Sequence, residues 1–527
     1  MRGFSPFYSR KYENKKEKNM KKLWKVLLSV LAFAVVFACV LALGTSADTK
    51  AAITENTDDA AGLFRVLDAS GTEIGKYKLL KSAVDAAPDG GRVEVTADYN
   101  AAATSVLMQD AGKEKSITVD LMGHTVYESS LWTAYSQYFL VRNGYGLKIT
   151  SSVGRGRFVF SKYMLLVQAD SNTNTGLTNN VEIENIDIES AADGFYAIKA
   201  GTGKLTMKDV SIKATSGNIQ PIHLQRDVNS ASLDVTMDNV VIDSARNGIR
   251  YNATGTTAFA LNLTLNNCKL TSEYYAYKTD GAADPDGNGA IHFVSVASNN
   301  DSINLVLNST EIYTNMKAAI TAEQDPQLNI TADKCTVHTN VNDTMNVDGA
   351  QIFRAAHGLT KSGTIKFTSS DLSVYRRLVD TGYGAIDSEH NTSFVFDNCR
   401  IYSKAADCIA VAAGNNFTFG GIKTRLISPN VNVWDRSGGN AGTIAYSYGV
   451  RAAGNSNVSG FAEDGLETDG CRYVYGATKY EGSQQGDNSV YNNQTFSGVN
   501  YGTETKDVVN PKDGQIYRQL WIYGKGT

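Results

Sequence analysis

One phrase recurs along most of this chain and limits what the chain can fold into. Apolar residues stand two apart, a polar pair follows, then a small or apolar residue, and two further on another apolar residue. The phrase reads "VDLMGHTV" at 119, "VEIENIDI" at 181, "LTMKDVSI" at 205, "VTMDNVVI" at 235, "LTLNNCKL" at 263, "LVLNSTEI" at 305, "ITADKCTV" at 330, "KFTSSDLSV" at 366 and "FVFDNCRI" at 394. Alternation with period two is the signature of a strand with one buried face. The second polar position falls at Gly123, Asn185, Asp209, Asn239, Asn267, Ser309, Lys334, Asp371 and Asn398, and from Asn185 onward the gaps run from 24 to 42 residues. A fixed short core inside a repeat of wandering length describes solenoid coils with loops of varying size.

A second, weaker phrase follows the first in many repeats: "DGFYAIKAG" at 193, "NGIRYNATG" at 247, "MKAAITAEQ" at 316, "GAQIFRAAHG" at 349, "ADCIAVAAG" at 406 and "SYGVRAAGN" at 447. Several short strands per coil, joined by Gly and Asn turns and without helical periodicity, predict an all-β fold, a right-handed parallel β-helix solenoid. In such a coil the repeated Asn is placed to bond its neighbours above and below, since stacked strands lie about 4.8 Å apart. The next position, at Ile186, Val210, Val240, Cys268, Thr310, Cys335, Leu372 and Cys399, is expected to point inward. The cysteines there read as small buried hydrophobes on alternate coils, too far apart for a disulfide.

Ahead of the coils, "YKLLKSAVDAAPDGGRVEVTADY" at 77 begins with Leu79, Leu80, Ala83, Val84 and Ala87 on one helical face, stopped by "PDGG". A short N-terminal helix laid over the first coil hides an open sheet end. With this cap and the strand "ITVDLMGHTV" the sequence resembles β-helix proteins of the pectin-lyase-like superfold, and in particular exported surface proteins of Gram-positive bacteria, over about residues 63 to 460. That superfold serves lyases, hydrolases, spikes and adhesins alike. The expected layout is an export signal or membrane anchor over 1–47, a cap over 48–98, the β-helix over 99–460, and a C-terminal cap or loop-rich appendage over 461–527.

The start of the chain reads as an address. A basic run, an apolar stretch from Leu23 to Leu43 and the small-residue segment around Ser46 and Ala47 form an export signal, with an uncleaved anchor as the alternative. Residues 1 to 26 hold nine Lys or Arg and two Glu, so the net charge of −4 becomes −11 for the remainder. An acidic exported body, taken to be a monomer, is a poor partner for nucleic acid. The same charge counts against a polyanionic ligand unless calcium bridges the two.

Resemblance to the superfold's enzymes stops at the fold. The Gly-His-Gly and Arg-Ile-Lys patches of polygalacturonase-like hydrolases are absent, as is the Arg-x-Pro-x-x-Arg patch of pectate-lyase-like enzymes; Asn-Thr-Asp and Asp-Asp occur only as Asn56-Thr57-Asp58-Asp59, ahead of the coils. "GHT" at 123 places His124 in what reads as an inward, core position. The best acid–base candidates are Arg376, Arg377, Asp380, Asp387, Glu389 and His390 in "YRRLVDTGYGAIDSEH", with a solvated charged loop as the plainer reading. Asp284, Asp286 and Asn288, followed by Gly289 and Ile291, match the first half of a calcium loop, but Ser295 replaces the expected bidentate Glu. Trp132, Tyr135, Tyr274, Tyr275 and Tyr277 lie just beyond ladder strands, where rings can stack on a sugar. The expectation is therefore an exported, adhesin-like binding protein directed at a glycan or cell surface. The alternatives are a polysaccharide lyase or glycoside hydrolase with an unfamiliar site, and a structural spacer.

Overall fold

A computed structural model describes residues 62 to 524, apart from connecting segments of which the longer are 128–137, 273–288, 340–350, 381–390, 428–447 and 482–494. Beyond residue 428 the description is of backbone course. Each full coil places one strand in each of three sheets, faces 1, 2 and 3 in chain order, which among the described residues contain 16, 13 and 13 strands. One coil runs Ser232–Asp238, Val241–Ser244 and Ile249–Asn252. The next runs Ala260–Asn266, Lys269–Ser272 and Ile291–Val294. Pairing between coils is parallel and in register, so like residues stack. Val235, Leu263 and Leu305 form one column on face 1, Ile242, Leu270 and Ile312 one on face 2, and Tyr251, Phe293 and Ala322 one on face 3. These side chains fill the interior and are 0–1% exposed. Each fully buried Leu or Ile contributes roughly 2 kcal/mol, but a lone coil has no second layer to bury against, so stability comes from stacking. The chain is thus an all-β parallel β-helix solenoid, as the alternation predicts.

Face 1 turns into face 2 through a single residue in the left-handed region. It is Asn185 (φ 58°), Asp209 (54°), Asn239 (54°), Asn267 (51°), Ser309 (48°), Lys334 (53°), Ser369 (49°), Asn398 (54°) or Lys423 (54°). Asn and Asp tolerate this conformation because their short polar side chains bond locally. The repeat at 366 is therefore read two residues late from sequence: Ser369 makes the corner, Ser370 takes the inward place, and Asp371 already opens the strand Asp371–Val374. Four polar residues in a row, 368 to 371, hide the corner there.

The inward column after the corner is more polar than expected. Cys268 Sγ–H donates to Met237 O (3.4 Å), Thr310 Oγ1 to Leu265 O (3.1 Å), Cys335 Sγ to Leu307 O (3.4 Å) and Cys399 Sγ to Phe367 O (3.4 Å). Each of these four reaches a carbonyl one coil back, whereas Ser370, inward between Cys335 and Cys399, accepts from Cys335 N–H (3.0 Å) and donates to Thr368 O (2.8 Å) in its own coil. All three cysteines are free and buried. Burial pushes the Cys268 and Cys335 thiols up to about 11 and Cys399 up to about 12.

Ladders of amides do form, though mostly beside the corner. Asn239 Nδ2 donates to Asp209 Oδ1 (2.5 Å) at the corner itself. On the outer side of face 1, Asn262 donates to Asp234 (2.7 Å), Asn304 to Asn262 (2.9 Å) and Asn329 to Asn304 (3.1 Å). Asn266 to Asp238 (2.5 Å) and Asn308 to Asn266 (2.8 Å) form a parallel ladder.

The cap is a helix, α1, Leu80–Ala86, whose Leu80, Ala83 and Val84 are buried. It packs beside Phe64–Leu67, which pairs antiparallel with Glu73–Tyr77 and Arg92–Val95. Lys115 Nζ donates to the carbonyls of Val84 (2.8 Å), Asp85 (3.0 Å) and Ala87 (2.7 Å), covering the open end of the helix. Parallel pairing continues on face 3 to Tyr473–Gly476 and on face 1 to Thr495–Phe496. A three-stranded antiparallel sheet of Tyr480–Glu481, Ile516–Gly524 and Tyr501–Val509 follows.

Candidate functional site

Because the corner between faces 1 and 2 is so short, long insertions fall at the other two corners, and both of these border face 3. The segment with Trp132 and Tyr135 enters face 3 at Phe139–Val141. Tyr274, Tyr275, Tyr277, Asp284, Asp286 and Asn288 belong to the connection that enters it at Ile291–Val294. Arg376 and Arg377 precede its strand Val379–Asp380, and Asp387, Glu389 and His390 follow that strand. Of these residues Asp380 alone is described, and by its backbone only; the others lie outside the described residues. Among the described residues no group of three or more His, Cys, Asp or Glu is arranged to hold a metal.

The described part of face 3 supplies what the sequence reading lacked. Its central strands alternate an inward and an outward residue. Ile198, Ile222, Ile249, Ile291 and Ile320 point into the core, and the residue after each points out. The register lines up these outward residues as one file, Lys199, His223, Arg250, His292, Thr321 and Arg354, and pairs the backbone of Asp380 opposite Arg354. Successive members stand about 4.8 Å apart, the strand spacing. The file is not open surface, since His292 is 1% exposed, Thr321 0% and His223 7%.

Electrostatics within the file are uneven. Burial lowers the His223 pKa to about 3, and Arg250 and Lys199 push the same way, so the ring is neutral. Its Nδ1 lies 3.0 Å from Gln220 Oε1; the amide oxygen can only accept, so Nδ1 carries the proton. His292 Nε2 sits 3.2 Å from Glu323 Oε1, close enough for an ion pair but without the alignment of a hydrogen bond. An imidazole against a carboxylate, flanked along the file by Arg250 and Arg354, is the strongest acid–base arrangement among the described residues.

The sequence held a signal for this file. Lys199, Arg250, Thr321 and Arg354 occupy matching places in the second phrase, each just after its inward apolar residue. His124, by contrast, is not a core residue. Its side chain is 34% exposed and its Nδ1 lies 3.4 Å from Asp98 Oδ1, while Val126 fills the core. The tight turn at Met122 (φ 50°) and Gly123 (φ 83°) delays the strand and leaves His124 at the corner.

Face 2 carries rings. Tyr313 meets His338 edge-on with centroids 5.4 Å apart, Lys269 Nζ lies 5.3 Å over the Tyr313 ring, and the Arg400 guanidinium 5.4 Å over Tyr402. Such half-buried rings are apolar patches on an otherwise charged face.

No family model, curated protein or solved structure matches this chain.

Proposed function

We propose that this protein is an exported β-helix of pectin-lyase-like kind, held at or released from a Gram-positive cell surface, that binds a glycan along face 3 in the manner of an adhesin. The observation that supports this most is the in-register file from Lys199 to Arg354, bordered by the long connections. An extended glycan presents hydroxyl and charged groups at intervals close to the strand spacing, so repeated polar side chains can meet successive units. Local charge refines the argument from net charge. The body is acidic, yet the described file carries Lys199, Arg250 and Arg354, which leaves an acidic glycan admissible without calcium.

A glycan array probed with the full chain, with and without calcium, tests the reading, provided each retained glycan is afterwards analysed for cleavage. Binding without products is expected, with weaker retention for Lys199→Ala and Arg354→Ala. No retention of any glycan refutes the proposal. The second reading, a polysaccharide lyase or glycoside hydrolase, is favoured by the His292–Glu323 pair, and appearance of cleavage products would replace binding with catalysis.

A further inference from the structure

We propose that His292 and Arg250 form a subsite for a single sugar hydroxyl, as distinct from a carboxylate. The proposal rests on the glycan-binding reading above. Its basis is a pair of buried polar atoms, His292 Nδ1 and Arg250 Nε, that have no hydrogen-bond partner. They belong to residues directly opposite one another on adjacent strands of face 3. The His292 side chain is 2% exposed, so solvent does not satisfy it. A buried polar atom left unpaired costs about 1–3 kcal/mol, so each of the two favours a partner of matching hydrogen-bond role.

The identity of that partner follows from donor and acceptor roles. With Glu323 Oε1 at 3.2 Å, a lone pair on His292 Nε2 is repelled, so the neutral ring keeps its proton on Nε2. Nδ1 is then an acceptor, and Arg250 Nε–H is a donor only. A hydroxyl both donates and accepts and satisfies the two together. A carboxylate accepts from Arg250 but sets its own lone pairs against Nδ1. A further unpartnered oxygen, Asn247 Oδ1, lies at the entry to the same strands, where Asn247 Nδ2 donates to Gly289 O (2.5 Å). Close packing marks this entry: a Cβ on Gly289 would stand 2.8 Å from Thr321 Oγ1. Water has the same dual character as a hydroxyl and is the competing occupant.

The test uses the full chain labelled with 15N-histidine at pH 8, with His292 assigned by loss of its signals in His292→Phe. The probes are methyl glycosides of glucose, galactose, mannose and N-acetylglucosamine, each with its monodeoxy counterparts. Without any probe, His292 is expected as the Nε2–H tautomer. At least one glycoside shifts its Nδ1 resonance, and one deoxy counterpart binds roughly 10- to 100-fold more weakly. Arg250→Lys, which keeps the charge but moves the donor, abolishes that discrimination. A proton on Nδ1, or an Nδ1 resonance unmoved by every glycoside while the array shows binding, overturns the subsite, leaves the glycan reading standing and assigns the gap to water. An array with no retained glycan overturns both.

Discussion

Replacing Asn239 by Ala and by Gly separates the two things a corner residue does. Asn239 is exposed and sits at φ 54°, and its side chain donates to Asp209 Oδ1 at 2.5 Å. Neither substitution removes core packing, so only the backbone conformation and that bond are at stake. Holding Ala in the left-handed region costs about 1–2 kcal/mol, and an exposed hydrogen bond is worth about 0.5 kcal/mol. The expected loss is thus about 2 kcal/mol for Ala. For Gly it is about 0.5 kcal/mol, since Gly adopts positive φ freely. A stacked solenoid does not unfold in one step, so local opening is the quantity to measure. Hydrogen exchange by mass spectrometry over 239–244 reports the bonds Asn239 N–H to Asn266 O (2.9 Å) and Val241 N–H to Val210 O (2.9 Å). Asn239→Ala should accelerate exchange roughly 10- to 30-fold and Asn239→Gly about twofold. Equal acceleration by both would show that the side-chain ladder, not the left-handed backbone, selects Asn at these corners.

Three further outcomes are expected. The Cys268, Cys335 and Cys399 thiols ionise near 9 in an unfolded chain but only near 11 to 12 when folded, so the unfolded state loses protons first. Stability is then fully present below pH 9 and falls from pH 9 to about 11 for Cys268 and Cys335 and to about 12 for Cys399, by about 1.4 kcal/mol per thiol per pH unit; a triple Cys→Val variant whose alkaline denaturation profile matches the parent's would contradict this. Lys115→Met strips three carbonyls of their donor and should raise amide exchange in 80–87 by 10-fold or more. A Cβ on Gly363 would stand 2.1 Å from Leu328 O, so Gly363→Ala should cost about 1–3 kcal/mol and lower the melting temperature, whereas an unchanged melting curve would mean the coils separate there at little expense.

Strand periodicity, the corner residue and the stacking of coils were legible in the sequence because each is local. A strand's two faces are written into every second residue, and a left-handed corner favours Asn or Asp, which hold five of the nine corners, Ser and Lys holding the others. Legibility failed at 366–374, where a polar run masked the corner, and at His124, where a tight turn displaced the strand. The inward Cys268, Thr310, Cys335 and Cys399 could be placed in the core, but not their bonds to carbonyls one coil back. The file on face 3 is a different kind of feature. Lys199, His223, Arg250, His292, Thr321 and Arg354 are separated by 24 to 42 residues of irregular chain. The second phrase puts Lys199, Arg250, Thr321 and Arg354 in matching places, but its irregular spacing does not show which of them are neighbours, and none of the quoted phrases holds His223 or His292. Only the parallel register, which ignores the length of each loop and aligns strands by their hydrogen bonds, brings them within one strand spacing of each other.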